Sequence, residues 1–303
     1  MEEQISIWKP ILACLTLSIV YVASLYIWSS PFTRNEPATI RKRFFSVFVM
    51  SLISPLFLWY FLEPKYLDKN TLLETLGLRF PGLIQAMILP LLLTMVLFLG
   101  PLVLQGFSGI WQVYAGNKQR RTENKVEEER EAPEVSNEPK FWWTNVNDLM
   151  WVRNYIVAPL SEEFTFRACM LPLLLQVFRP NTAIFVAPLF FGAAHFNHLI
   201  ERLKTGMLWR HALLISCFQF CYTFLFGGYS AFLFVRTGHF VAPFIAHAFC
   251  NHMGFPDLEE IYSLGEPRRC CMLILCMVGL VAWAFLLIPV TNPNLYSNNL
   301  WWR

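Results

Sequence analysis

The sequence predicts an all-α, polytopic membrane protein with about eight transmembrane helices around a polar intramembrane cavity. Composition, long charge-free runs, and a few ionisable residues set inside one such run carry that prediction. Of 303 residues, 55% are hydrophobic and only 15% charged, against about 25% charged in an ordinary soluble domain. A membrane helix takes about 20 mostly apolar residues, so a chain of this length holds several spans and little besides. A single membrane domain, 1–303, is expected.

The charge-free runs 10–33, 44–62, 80–117, 180–200, 211–235, 237–256 and 270–302 are rich in Leu, Phe, Val and Ile and predict seven spans. The first run exceeds the apolar region of a signal peptide and is followed by no small-residue cleavage pattern, so it is expected to remain as a signal anchor. An eighth span falls between Asp148 and Phe178, where apolar sequence is interrupted by Ser161-Glu162-Glu163-Phe164-Thr165-Phe166-Arg167. Segment 118–140 is charged, holds two prolines and no aromatics, and is expected to be a solvated, mobile cytosolic loop.

With eight helices, loops 1–2, 3–4, 5–6 and 7–8 share one side and carry most of the 24 Lys and Arg, which places that side in the cytosol. The net charge of +3 is mild, and the basic residues form no stripe with interleaved aromatics. Nucleic acid is therefore not an expected partner. The eight cysteines (Cys14, Cys169, Cys217, Cys221, Cys250, Cys270, Cys271 and Cys276) form no C-x-x-C pair and are expected to be small buried hydrophobes.

An ionised side chain at mid-helix costs about 2.5–3.5 kcal/mol on insertion scales, so Glu162, Glu163 and Arg167 within one run mark a site. A 3.6-residue repeat puts Glu163 and Arg167 about 40° apart and Glu162 and Arg167 about 140° apart. Glu163 should pair with Arg167 and leave Glu162 free for another partner. Further polar groups lie at His195, after the small residues Gly192-Ala193-Ala194, and at His247 and Asn251, one turn apart. Each alone could be an interhelical hydrogen bond. Together, a carboxylate, two imidazoles and an amide from three helices could converge on a water-filled cavity. His211 beside Arg210, His239 in a turn with Gly238, and His198 and His252 near the expected membrane surface are read as lying outside the site.

On these residues the sequence resembles the type II CAAX prenyl endopeptidases, Ras-converting membrane proteases of the wider abortive-infection family. The resemblance rests on E-E-x-x-x-R at Glu162–Arg167, F-x-x-x-H at Phe191–His195 and H-x-x-x-N at His247–Asn251, in order, within 148–256. It implies a multi-pass endoplasmic reticulum enzyme whose site opens to the cytosol. Such an enzyme removes the last three residues of prenylated CAAX-tail proteins such as Ras-type small GTPases, at the surface of the membrane lipid and without a cofactor. By the same resemblance, Glu162 with His195 activates water, His247 and Asn251 line the oxyanion hole, and Glu163 and Arg167 hold the site together.

Two other classes use similar residues. A zinc metalloprotease could take His195, His247 and Glu162 as ligands, but H-E-x-x-H is absent. A transporter or non-catalytic scaffold would also carry buried acids, but no matching pair of broken segments in the two halves points to a transporter repeat.

Overall fold

The computed structural model describes residues 6–28, 34–106, 148–256 and 258–301; the charged segment 118–140 lies outside the described residues. Helices α1 (Trp8–Ser24) and α2 (Pro37–Phe61) come first, followed by α3 (Leu83–Leu97) and α4 (Leu99–Gly106), which meet at an 80° bend. Then follow α5 (149–175), α6 (Pro180–Ala194), α7 (Asn197–Lys204), α8 (Trp209–Thr237), α9 (Val241–Met253), α10 (Leu258–Ser263) and α11 (Arg268–Val290). No strand occurs among the described residues. Pro37 and Pro180 open their helices, where a missing N–H leaves no bond unmade.

By length and composition, α2, α6 continued into α7 (Pro180–Lys204), α8 and α11 can each cross a bilayer, and the bent pair α3 and α4 makes a fifth if counted as one span. The protein is thus all-α and polytopic, and these helices supply four or five of the eight expected spans. The remaining three differ from simple spans for visible reasons. α1 is apolar but 17 residues long. The expected span 237–256 is reduced to a 13-residue helix, because Gly238 and Gly254, with φ of +66° and +67°, end α8 and α9 in a conformation that side chains with a Cβ disfavour.

α5 is the least regular helix and the most central. It contains two π-helical stretches, Arg153–Val157 and Phe164–Cys169, around the regular turn Ala158–Glu163. Such i→i+5 turns are rare and concentrate at functional sites. Its C-terminal half is wholly enclosed: Phe166, Arg167, Ala168, Cys169, Met170, Leu171, Leu173 and Leu174 are all buried. α1, α2, α6, α8 and α9 surround it.

Outside this core the helices present apolar faces outward, with Leu214, Leu225 and Phe285 among the most exposed. In lipid these faces need no partner, and helix association rests on close packing and interhelical hydrogen bonds. α6 packs closely on α8, where a Cβ at Gly192 would come within 2.9 Å of the Phe220 ring.

The same solvent corrects the reading of the cysteines. Cys14 and Cys169 are buried, but Cys217, Cys221, Cys270 and Cys271 are exposed on the outer faces of α8 and α11, and all eight are free thiols. An apolar thiol facing hydrocarbon gains nothing from burial, so hydropathy alone could not say which way it points.

Candidate active site

The regular turn of α5 between its two π-helical stretches carries both glutamates, and they face different surroundings. Glu163 is fully buried. Arg167 donates from Nη1 to its Oε1 at 3.0 Å, His247 Nδ1 lies 2.7 Å from the same oxygen, and the Ser230 hydroxyl donates to Oε2. One carboxylate thereby joins α5, α8 and α9. The i, i+4 pairing of Glu163 with Arg167 is the one that helix geometry predicts. Ser230 is a partner that hydropathy and spacing gave no reason to single out within Gly227-Gly228-Tyr229-Ser230.

Arg167 is 1% exposed, and its guanidinium lies 4.2 Å from the centre of the Phe191 ring, a contact of the cation–π type. Glycine at 227 makes room for it, since a Cβ there would sit 3.2 Å from Nη2. A charge taken this far from water is tolerated because it is paired and packed.

Glu162 points elsewhere. Its side chain retains 22% exposure, and its Oε2 lies 3.8 Å from His247 Nε2. It lines a cavity of about 230 Å³ together with Tyr21, Asn154, Ser161, His195 and His198. Ser161 Oγ and the Tyr21 hydroxyl are hydrogen-bonded at 2.9 Å, fixing the wall beside Glu162.

His195 caps the C-terminus of α6, with Nδ1 2.8 Å from the Phe191 carbonyl oxygen. A carbonyl only accepts, so Nδ1 carries a proton, and in the neutral ring Nε2 keeps its lone pair. His195 is therefore oriented as a proton acceptor on the wall that it shares with Glu162.

The structure does not bring all four expected catalytic residues to one surface. His247 touches both glutamates but lies outside the cavity wall, and Asn251 donates from Nδ2 to the Asn154 carbonyl at 2.9 Å. Asn154 does line the cavity, so Asn251 stands one residue behind it.

Of the histidines read from the sequence as lying outside the site, His198 lines the cavity and His239 does not. His198 bonds Glu201 at 2.9 Å, both residues lying on α7, which continues α6. His239 is buried and donates from Nε2 to the Pro81 carbonyl at 2.8 Å, away from the cavity. Among the described residues, no group of three His, Cys, Asp or Glu side chains has the arrangement of a metal site.

A buried Glu163–Arg167 pair and a cavity lined by Glu162 and His195, within an all-α bundle with several apolar spans, define a polytopic membrane protein with a polar site inside its helices. The comparisons specify it further. The family model described as "Type II CAAX prenyl endopeptidase Rce1-like" matches residues 144–253. The chain is 41% identical over 293 residues to "CAAX prenyl protease 2" of Homo sapiens, covering 96% of this chain and 84% of that one. It is 34% identical over 310 residues to the protein of the same name in Arabidopsis thaliana, covering 98% and 94%. It is 30% identical over 277 residues to the one in Caenorhabditis elegans, covering 91% and 94%. The chain belongs to the family of type II CAAX prenyl endopeptidases. No solved structure matches it.

Proposed function

We propose that this protein removes the C-terminal tripeptide from prenylated CAAX proteins, with Ras-type small GTPases among its substrates, in the endoplasmic reticulum membrane and from the cytosolic side. The observation that carries the reading is that Glu162 and His195 line one cavity while His195 is tied through Nδ1 to the Phe191 carbonyl. Family membership supports the substrate class.

In this reading a water between Glu162 and His195 attacks the scissile carbonyl carbon. Its proton passes to Glu162 as the new C–O bond forms. Donors from the His247 and Asn251 side hold the oxyanion, which is worth most in a site of low dielectric. The C–N bond then breaks, and the departing amine takes the proton that Glu162 received, so the acid returns to its ionised form. Glu163, fixed by Arg167, Ser230 and His247, keeps α5 in register without touching substrate. No metal enters any step.

The test is incubation of the purified protein, in detergent or liposomes, with a prenylated CAAX peptide and an unprenylated control. Release of the terminal tripeptide from the first alone is the expected result. Release from neither would remove the protease reading.

A further inference from the structure

The cavity that holds Glu162 and His195 is not electrically balanced. Beside Glu162, its lining includes three guanidinium groups, those of Arg34, Arg43 and Arg153. They come from separate parts of the chain: Arg34 precedes α2, Arg43 lies in the first turns of α2, and Arg153 opens the first π-helical stretch of α5. A second, wider cavity of about 870 Å³ shares Arg34, Arg43 and His198 with the first and adds Lys42, Arg202 and Lys204.

One carboxylate serves this region. Glu201 on α7 lies 3.4 Å from Arg43 and 3.8 Å from Arg34, and it also receives the Tyr26 hydroxyl at 2.8 Å and His198. Arg153 has no carboxylate within ion-pair distance among the described residues. Its contacts are neutral: the Arg34 carbonyl and Asn35 Oδ1, both at 3.1 Å, and Asn154 Oδ1 at 3.0 Å. A positive surplus inside a cavity is a site for an anion, and the planar fork of arginine suits a carboxylate.

We propose that the arginine cluster of Arg153, Arg43 and Arg34 binds the free C-terminal carboxylate of the substrate and so sets where the chain is cut. The proposal rests on the tripeptide-releasing reaction above. Three extended residues span about 10–11 Å. Arg153 precedes Glu162 by nine positions on the same helix, an axial rise of about 13 Å for a regular helix and less where the turns widen. A chain with its scissile carbonyl at Glu162 and its end pointing along α5 toward the mouth therefore delivers its carboxylate within reach of the Arg153 side chain. Cleavage three residues from the end follows from the spacing between base and anion site on one helix. The prenyl group, on the other side of the scissile bond, is left to the lipid-facing side.

The experiment compares three prenylated peptides with the wild-type enzyme: the free acid, its C-terminal amide and the acid lengthened by one residue. The free acid should be preferred over the amide in kcat/KM by about 10- to 100-fold, as for hydrogen bonds to a charged group, mostly through KM. The lengthened acid should be cut poorly. Arg153→Gln should bring the acid-to-amide ratio close to one, Arg43→Gln should lower it, and Arg153→Lys should keep part of it. Because the ratio is measured within one preparation, loss of folded enzyme cancels. Equal rates on acid and amide by the wild type, or an unchanged ratio in Arg153→Gln, would overturn the anion site and leave the protease standing. No hydrolysis of the free acid by the wild type would overturn both.

Discussion

His247 Nδ1 lies 2.7 Å from Oε1 of Glu163, so the histidine of α9 is bonded to the glutamate that does not face the cavity. In a neutral ring with its proton on Nδ1, Nε2 would present a lone pair toward Glu162, 3.8 Å away, and could not donate to an oxyanion. A doubly protonated ring donates from both nitrogens. His247 can therefore stabilise developing negative charge only as an imidazolium held between two carboxylates.

Removing the charge of Glu163 should destabilise the fold more than any other single change in the site. Glu163→Gln leaves Arg167 buried without a counter-charge, and breaking a buried pair typically costs about 3–5 kcal/mol. Melting curves in detergent should show a large loss for Glu163→Gln and for Arg167→Met, and partial recovery in the double variant. A stable but inactive Glu163→Gln would instead make Glu163 the proton acceptor.

Ser230→Ala tests the bond that sequence inspection missed. Hydrogen bonds to charged groups contribute about 1.5–3 kcal/mol, so the variant should melt lower while keeping much of its turnover per folded molecule. Turnover falling a thousandfold without a change in melting would place Ser230 in the chemistry.

Glu162→Gln should abolish hydrolysis and leave melting close to wild type. Its side chain is partly exposed and lies 3.8 Å from His247 Nε2, and an amide keeps its shape but cannot take the proton from water. Substantial residual hydrolysis would rule it out as the base.

Asn251→Ala should lower turnover by about 10²–10³-fold, the usual loss on deleting an oxyanion donor. Its hydrogen bond to the Asn154 carbonyl lies at an exposed position, so melting should hardly move. Normal turnover would mean that its amide never leaves that carbonyl for the substrate.

Prolonged dialysis against a strong chelator, checked by elemental analysis, should leave peptide hydrolysis intact. Activity lost on dialysis and restored by stoichiometric zinc would replace the glutamate mechanism with a metal-assisted one.

The acidic interruption of α5 is legible in the sequence because charge inside an apolar run is costly and therefore conspicuous. The pairing of Glu163 with Arg167 is legible because four residues bring two side chains onto one face. Neither argument reaches Ser230, whose hydroxyl is unremarkable in a membrane helix, or the π-helical stretches, which side-chain propensities do not announce. Hydropathy also treats α9 as a span, although two glycines cut it to 13 residues. It leaves the arginine cluster invisible as well, since Arg34, Arg43 and Arg153 are distant in sequence and read as ordinary loop-flanking charges.

The widened turn Phe164–Cys169 makes residue number, as well as residue chemistry, part of the site. A π-helical turn absorbs one residue more than an α-helical turn, so it takes up an extra position between the glutamates and the enclosed stretch Met170–Leu175. Deleting Ala168 would retain Glu162, Glu163, Arg167, His195, His247 and Asn251 and scarcely alter hydropathy. The widened turn would nevertheless close to an α-helical one, so the flanking stretches would keep their phase while residues inside the turn, Arg167 among them, would swing by up to about 100°. Glu163 and the buried leucines could keep their places, but Arg167 would be turned away from Glu163 Oε1 and from the Phe191 ring. Length variation in this stretch is thus expected to cost the enzyme its buried ion pair where conservative substitution does not.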